Sequence, residues 1–318
     1  MNPQPSVQMP GQWSTVAPTV DWMFYFIYWL SVIMFVGITA AAIYFVVKYR
    51  RRPGVKAEPT GHNNALEIGW TVAPVILLVA LFHFGFKGWL ELRVPPADAI
   101  QIRVRAKKWL WEFEYPNGMH SVTDLHVPVN RPVRIVLSSD DVIHSFFVPA
   151  FRIKQDATPG FYQTTWFQAV HEGTVDLFCA EYCGTGHSAM LGHVIIQSQA
   201  EYERYLAEGV GPRMDPTTHR IETPEAWGHR IAQETQCLTC HSTDGSAMTG
   251  PTWRGIFGHS VALADGASAT VDENYIRESI LQPSAKVVRG FQPVMPTFQG
   301  TLQDRQIDAL IAYIRSLH

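Results

Sequence analysis

Cys179-Ala180-Glu181-Tyr182-Cys183-Gly184-Thr185-Gly186-His187-Ser188-Ala189-Met190 gathers two thiols, an imidazole and a thioether into one short loop. His144, in Asp141-Val142-Ile143-His144-Ser145-Phe146-Phe147-Val148-Pro149, lies far enough upstream to return on a neighbouring strand. Soft sulfur with imidazole nitrogen is a copper or zinc ligand set, and the methionine favours copper. Zinc takes four closed ligands and has no need of the thioether. Two disulfides are the plainer use of four cysteines in an exported chain. A Cys179–Cys183 bridge, however, leaves His144, His187 and Met190 without a common purpose. Further on, Cys237-Leu238-Thr239-Cys240-His241 has the form of a covalent c-type haem attachment site. Together the two signatures point to electron transfer.

The chain has 318 residues, room for two ordinary domains, and 47% of them are hydrophobic. A net charge of −3 argues against a nucleic-acid partner. Trp22 to Val47 carries no charged side chain and exceeds the ~20 residues that span a bilayer. A second run, from about Leu66 to Leu90, has Glu67 near its start and His83 and Lys87 towards its end. Pro74 is tolerable within it, since neighbouring helices can satisfy the freed carbonyl. Lys48, Arg50, Arg51, Arg52 and Lys56 fall between the runs, and no lysine or arginine precedes them. That asymmetry predicts a cytoplasmic hairpin loop, with residues 1–20 and everything after about residue 92 outside. No basic region precedes the first run and it is too long for a signal peptide, so an uncleaved first helix is expected.

After Pro95-Pro96 the period changes. Ile100, Ile102, Val104 and Ala106 alternate with Gln101, Arg103, Arg105 and Lys107, the pattern of a half-buried strand. Trp109 to Tyr115 continues it up to a Pro116-Asn117-Gly118 turn, and Val133, Ile135 and Leu137, then Val175 to Cys179, then Val194 to Ile196, repeat it. Short strands between turns predict an antiparallel sandwich or barrel over 98–200. Residues 201–222 read as a polar helix and a linker. Thr223-Pro224 reads as an N-cap and first helical proline, opening a helix that delivers Cys237, Cys240 and His241 at its end. A final helix is expected after a Thr301 cap, with Asp304 three residues on and Ile307, Leu310, Ile311 and Ile314 on one face. The last domain is thus placed at 223–318.

His144 followed by Cys-x-Glu-x-Cys-x3-His-x2-Met resembles the binuclear copper (CuA) centre of subunit II of haem-copper cytochrome c oxidases. The resemblance implies that Cys179 and Cys183 bridge two copper ions and that His144 and His187 bind one each. It makes Met190 a weak axial ligand and the Glu181 carbonyl another, and extends the Glu181 side chain to a magnesium or manganese ion at the subunit I interface. Lys108-Trp109-Leu110-Trp111-Glu112-Phe113-Glu114-Tyr115 resembles the segment where electrons enter, with Trp109 matching the family's tryptophan; Leu110 departs from its usual aromatic residue. The plain alternative for Trp109 is core packing. Glu67-Ile68-Gly69-Trp70 resembles the start of the family's second helix, which places Glu67 at a proton-pathway entrance; a solvated first-turn acid is the alternative. Around the haem motif, Gly250-Pro251 and Val294-Met295-Pro296-Thr297-Phe298 resemble a small cytochrome c. By that likeness Cys237 and Cys240 form thioethers, His241 is the proximal ligand packed by Pro251, and Met295 is the distal ligand, with Met248, Met214 and His259 as its rivals.

The whole order resembles subunit II of a caa3-type oxidase. It implies a multidomain membrane protein: a two-helix transmembrane hairpin, an all-β cupredoxin-like Greek-key sandwich, then a small all-α cytochrome c domain. It further implies a bacterial plasma-membrane location with both later domains on the periplasmic side. The partners implied are subunit I, other oxidase subunits and a cytochrome c or similar donor. Electrons are expected to pass from that donor to haem c, then CuA, then haem a in subunit I. Three other readings compete. A quinol oxidase subunit would lack the copper ligands present here. A CuA-bearing nitric oxide reductase subunit would share them. A free-standing tethered carrier would leave Glu67, His83 and Lys87 without a protein neighbour in lipid.

Overall fold

The two apolar runs fold as helices α1 (Ala17–Lys48) and α2 (Asn64–Arg93) in a computed structural model that describes residues 4–56, 59, 61–209, 211–213 and 220–318. Both extend past the apolar stretches. Proline in the first turn starts α1, where its missing N–H costs nothing, and Asp21 in the next turn accepts from Gln12 Nε2 at 2.9 Å. Asn63 caps α2 by accepting from the Leu66 N–H at 3.1 Å, and Pro74 stays inside the helix. Each helix is long and apolar enough to cross a membrane, and large side chains such as Phe35, Val46, Ile76 and Phe82 point outward. The helices with residues 1–12 form one body; Trp13–Thr15 and Pro95–His318 form a second.

Ten strands build the sandwich of the second body: β1 (Ile100–Lys107), β2 (Leu110–Glu114), β3 (His120–Val122), β4 (Leu125–Pro128), β5 (Pro132–Ser139), β6 (His144–Val148), β7 (Ile153–Ala157), β8 (Gln163–Gln168), β9 (Gly173–Cys179) and β10 (Leu191–Gln197). One sheet has the order β3-β2-β1-β5-β8, the other β4-β10-β9-β6-β7. The pairings are antiparallel as expected except β1 with β5 and β4 with β10, which run parallel. The chain crosses to the second sheet between β3 and β4, so β5 returns beside β1 without a hairpin. Ile102, Phe113, Leu125, Ile135, Leu137, Phe146 and Leu177 fill the space between the sheets. The Pro116–Gly118 turn forms with Gly118 at φ 79°, its N–H bonded to the Tyr115 carbonyl at 2.9 Å. Trp13–Thr15 adds to the sandwich edge: Thr15 N–H reaches Gln168 O and Val170 N–H reaches Trp13 O, both at 3.1 Å.

The alternation in β1 fails at Lys107, which is buried where a solvent-facing residue was expected. Its ammonium lies 2.7 Å from the Glu112 carboxylate, whose other oxygen is 3.0 Å from His120 Nδ1. The strand β2 is buried on both faces. Trp111 and Phe113 enter the sandwich, while Leu110 joins a cluster with Trp253, Phe298 and Ile311 of the following domain. That domain therefore covers this sheet around Leu110 and Val122, while Arg103 and Arg105 stay exposed.

Helix α3 (Gln199–Glu208) opens on a Ser198/Glu201 capping box, buries Tyr202 and sets a half-buried Tyr205 near Tyr115. Residues 210 and 214–219, within the expected linker, lie outside the described residues. Then come α4 (Pro224–Glu234), α5 (Cys237–Cys240), a ribbon of β11 (Ser260–Ala262) and β12 (Ser268–Thr270), α6 (Glu273–Leu281) and α7 (Asp304–Ser316). Thr223 caps α4 as expected, accepting from Ala226 N–H at 3.3 Å. Gly228 lets α4 lie directly on α7, since a Cβ there would stand 1.9 Å from the Ala309 carbonyl oxygen. Two local expectations are corrected. The haem motif is not the end of α4: the chain turns at Gln236 (φ 57°) and the cysteines sit on their own short turn. Nor does Thr301 cap α7; Gln303 does, in a reciprocal box with Gln306.

Burial alone would raise the Glu112 carboxyl, but His120 and Lys107 override it and bring it from 4.5 down to about 2. A carboxyl lowered on folding stabilises above its unfolded pKa and loses that contribution as pH falls through the folded one. Glu112→Gln, leaving the buried Lys107 with only the Asp140 carboxylate at 3.7 Å, is expected to cost up to about 3–5 kcal/mol at neutral pH. The deficit should shrink between pH 4.5 and about 2 in denaturant melts of the purified protein. An equal deficit across that range would show that the pair does not carry the effect.

Candidate functional site

The copper-type residues come from three places in the second sheet. His144 starts β6, fully buried; Cys179 ends β9; and the connection to β10 carries Cys183, His187 and Met190. That β9–β10 connection hairpins back, so Cys179 N–H bonds to Met190 O at 3.3 Å and closes the loop on itself. The donor atoms converge. His144 Nδ1 is 3.1 Å from Met190 Sδ and 3.9 Å from Cys179 Sγ; Cys183 Sγ is 3.5 Å from His187 Nδ1 and 3.9 Å from Met190 Sδ. The Cys179 thiol reaches the Glu181 carbonyl at 3.3 Å, while the Glu181 side chain is exposed. All six residues singled out in the sequence as a metal site are thus in one place. The two sulfurs stand 3.9 Å apart, far beyond the ~2.05 Å of a disulfide, and both cysteines are free. Two facing thiols, two imidazoles, a thioether and a carbonyl fit a soft, thiolate-bridged metal pair. Burial opposes ionisation of both thiols. The neighbouring His144 ring, with backbone hydrogen bonds, brings Cys179 below the ordinary thiol, and a charge there adds to burial in pushing Cys183 above it. One thiol therefore ionises well before the other.

A cavity of about 330 Å³ opens beside α5, lined by Cys237, Cys240, His241 and Met295. His241 Nδ1 donates to the Pro251 carbonyl at 2.7 Å, which leaves Nε2 as the nitrogen with a free lone pair. Trp253 stacks on the same ring, centroids 5.1 Å apart. Gly250 is required here, since a Cβ would stand 2.6 Å from His241 Cε1. Burial lowers the His241 pKa and keeps the imidazole neutral, the form that binds iron. Of the distal candidates, Met295 lines the cavity; Met248 and His259 are exposed and do not, and Met214 lies outside the described residues. Paired thiols, an anchored imidazole and a thioether around an apolar space fit a covalently attached haem.

Trp109 belongs to both sites. Its Nε1–H donates to the Cys183 carbonyl at 3.2 Å, and its ring covers Gly184 and Gly186, where a Cβ would come within 3.2 and 2.4 Å of the indole. The same residue, with Lys108, Leu110, Thr185 and Gly186, lines the haem-type cavity. It is partly exposed and rests on the copper loop. Gln236 Nε2 donates to the Leu191 carbonyl at 3.0 Å and ties the haem turn to β10. Glu67 lies far from both groups in the chain, in the first turn of α2, 3.0 Å from His62 Nδ1. Sequence reading missed Asp141, whose carboxylate accepts from His144 Nε2 at 2.8 Å. Its signal was the spacing of three residues before a ligand histidine.

Family comparisons cover nearly the whole chain. The cytochrome c oxidase subunit II transmembrane domain matches residues 5–87, the periplasmic domain of the same subunit matches 119–198, and the cytochrome c family matches 226–318. A cytochrome c oxidase subunit 2 of Alkalihalophilus pseudofirmus is 33% identical over 94% of this chain and 88% of its own length. One from Thermostichus vulcanus is 31% identical over 62% of this chain and 77% of its own. An alternative cytochrome c oxidase subunit 2 of Bradyrhizobium diazoefficiens is 27% identical over 63% and 84%. With the hairpin, the sandwich and the haem-type domain in that order, this chain belongs to the cytochrome c oxidase subunit II family and carries a fused C-terminal cytochrome c domain.

Proposed function

We propose that this chain relays electrons from an external donor, a cytochrome c or a similar carrier, through its own haem c to its CuA pair. From there they pass to haem a of subunit I, where oxygen is reduced to water with proton translocation. The observation that carries this reading is Trp109, hydrogen-bonded to the copper loop and lining the haem cavity at once. When bound, the two groups supply one-electron redox chemistry, with the bridged copper pair spreading its charge over both metals.

The chain's own residues supply positioning. Cys179 and Cys183 face each other across a gap that a rigid sandwich holds open, and His144 enters from a different strand, so the donor set cannot spread without breaking the sheet. Pro251 and Trp253 fix His241, and Met295 offers the soft sulfur that favours reduced iron. We assign the Glu181 side chain, exposed beside the copper loop, to the family's magnesium or manganese site against subunit I. Glu67, at the basic-loop end of α2, takes the role of proton-pathway entrance. The basic residues between 48 and 56 support a cytoplasmic side for that end. Trp13–Thr15 precede the first span and bond to the sandwich, which follows the second; this agrees with both metal domains being periplasmic in a bacterial plasma membrane.

A pyridine haemochrome spectrum of the purified membrane complex is expected to contain haem a as well as haem c. Haem b without haem a, together with nitric oxide reduction, would overturn the oxidase reading. Met190→Leu should alter the visible and paramagnetic signature of the copper centre and leave the haem c absorbance intact. Loss of haem c instead would refute the division into two sites. Trp109→Phe should slow haem c to copper transfer after photoreduction while both spectra stay unchanged. An unchanged rate would remove Trp109 from the path.

A further inference from the structure

Asp141 stands between the copper ligands and the turn that carries Trp109, and nothing in the electron path so far uses it. One carboxylate oxygen, Oδ1, accepts from His144 Nε2 at 2.8 Å and from the Val142 N–H at 2.6 Å, with Ser139 Oγ at 3.4 Å. The other, Oδ2, accepts from the Lys108 N–H at 2.7 Å. The Val142 bond is a local turn cap of the kind that aspartate and asparagine form equally well. The other two bonds reach in opposite directions, one to a metal-type histidine and one, 33 positions back along the chain, to the peptide preceding Trp109.

We propose that Asp141 is a positioning residue that locks the copper histidine and the Trp109 segment to a single carboxylate. The proposal rests on the copper reading of the Cys179–Met190 loop. Two consequences follow from its chemistry. Accepting at Nε2 keeps the His144 proton there, so Nδ1, which faces Cys179 Sγ and Met190 Sδ, stays free to bind metal. Accepting from Lys108 holds the backbone from which the Trp109 indole extends over Gly184 and Gly186. A shift of the copper histidine and a shift of the tryptophan are then no longer independent.

Only a carboxylate does all of this. The amide in Asp141→Asn has one acceptor oxygen and one NH2 group. If the oxygen stays at the Oδ1 position, it keeps both His144 and the Val142 cap, and the NH2 opposes the Lys108 N–H. If it turns towards Lys108, the NH2 opposes the Val142 N–H and faces His144 Nε2, so the cap is lost as well. The first orientation preserves a purely local turn role and loses only the long-range bond to Lys108.

The test is copper retention against a competing chelator in the detergent-purified complex, with the copper paramagnetic spectrum and the haem c to copper transfer rate recorded alongside. Native complex must bind copper and haem c; if it binds no copper, the underlying reading fails. With native copper intact, Asp141→Asn should hold copper about 10- to 100-fold less tightly or show a changed copper spectrum, and should transfer electrons more slowly, with haem c content unchanged. If Asp141→Asn matches the native complex in retention, spectrum and rate, Asp141 is a turn cap alone and the proposal is wrong. Should that variant not accumulate, Asp141→Ser keeps a short turn acceptor that cannot reach both distant donors, and the same outcomes decide.

Discussion

The strand Leu110–Glu114 is buried on both faces, and the two redox regions depend on that. Inside the sandwich, Trp111 meets Phe146 edge-on at 5.6 Å and His144 at 6.3 Å, so it braces the histidine of the copper set from behind. On the outer face, Leu110 packs among residues of the helical domain, and burial of such a side chain contributes about 1.5–3 kcal/mol. Immediately before the strand, Trp109 extends over the copper loop. One short strand thus sets where the metal histidine sits, where the haem-type domain docks and where the aromatic ring between them lies.

Putting a charged pair across that strand and β1 is a poor way to gain stability, because desolvation consumes most of the attraction between Lys107 and Glu112. Its use is directional. An apolar patch alone tolerates sliding, whereas a buried ion pair with a histidine on its second oxygen has one satisfactory arrangement. The outer face of this sheet therefore joins an adaptable contact at Leu110 to an exacting one at Glu112.

The membrane spans, the sandwich and the donor residues were legible in the sequence because each has a local signature. Charge-free length marks α1, period two marks β1 and β5, and fixed ligand spacing marks Cys179–Met190 and Cys237–His241. Strands β3, β4, β7 and β8 left weak signals, being short or rich in glutamine and threonine. The parallel pairings were not legible at all, since they depend on where the chain changes sheets. Thr301 looked like a cap from spacing alone, but Gln303 offered a reciprocal box that local pattern ranked lower. Asp141 and the copper-loop glycines are defined by residues distant in the chain, and spacing within one segment carries no record of those contacts.

The places where local reading failed are not scattered. Lys107 should have faced water, Leu110 should have been aromatic by family likeness, and Glu112 should have been a solvated strand residue. All three lie on one sheet face, Lys107 and Glu112 paired with each other and Leu110 packed against the second domain. A half-buried strand alternates because one face meets solvent; once a partner covers that face, the alternation loses its cause. Broken alternation confined to adjacent residues is then a sequence mark of a covered surface. In this chain the covering domain is encoded in the same polypeptide. Leu110, the position that departs from the family's aromatic residue, packs in one buried cluster with Trp253 and Phe298 of that domain.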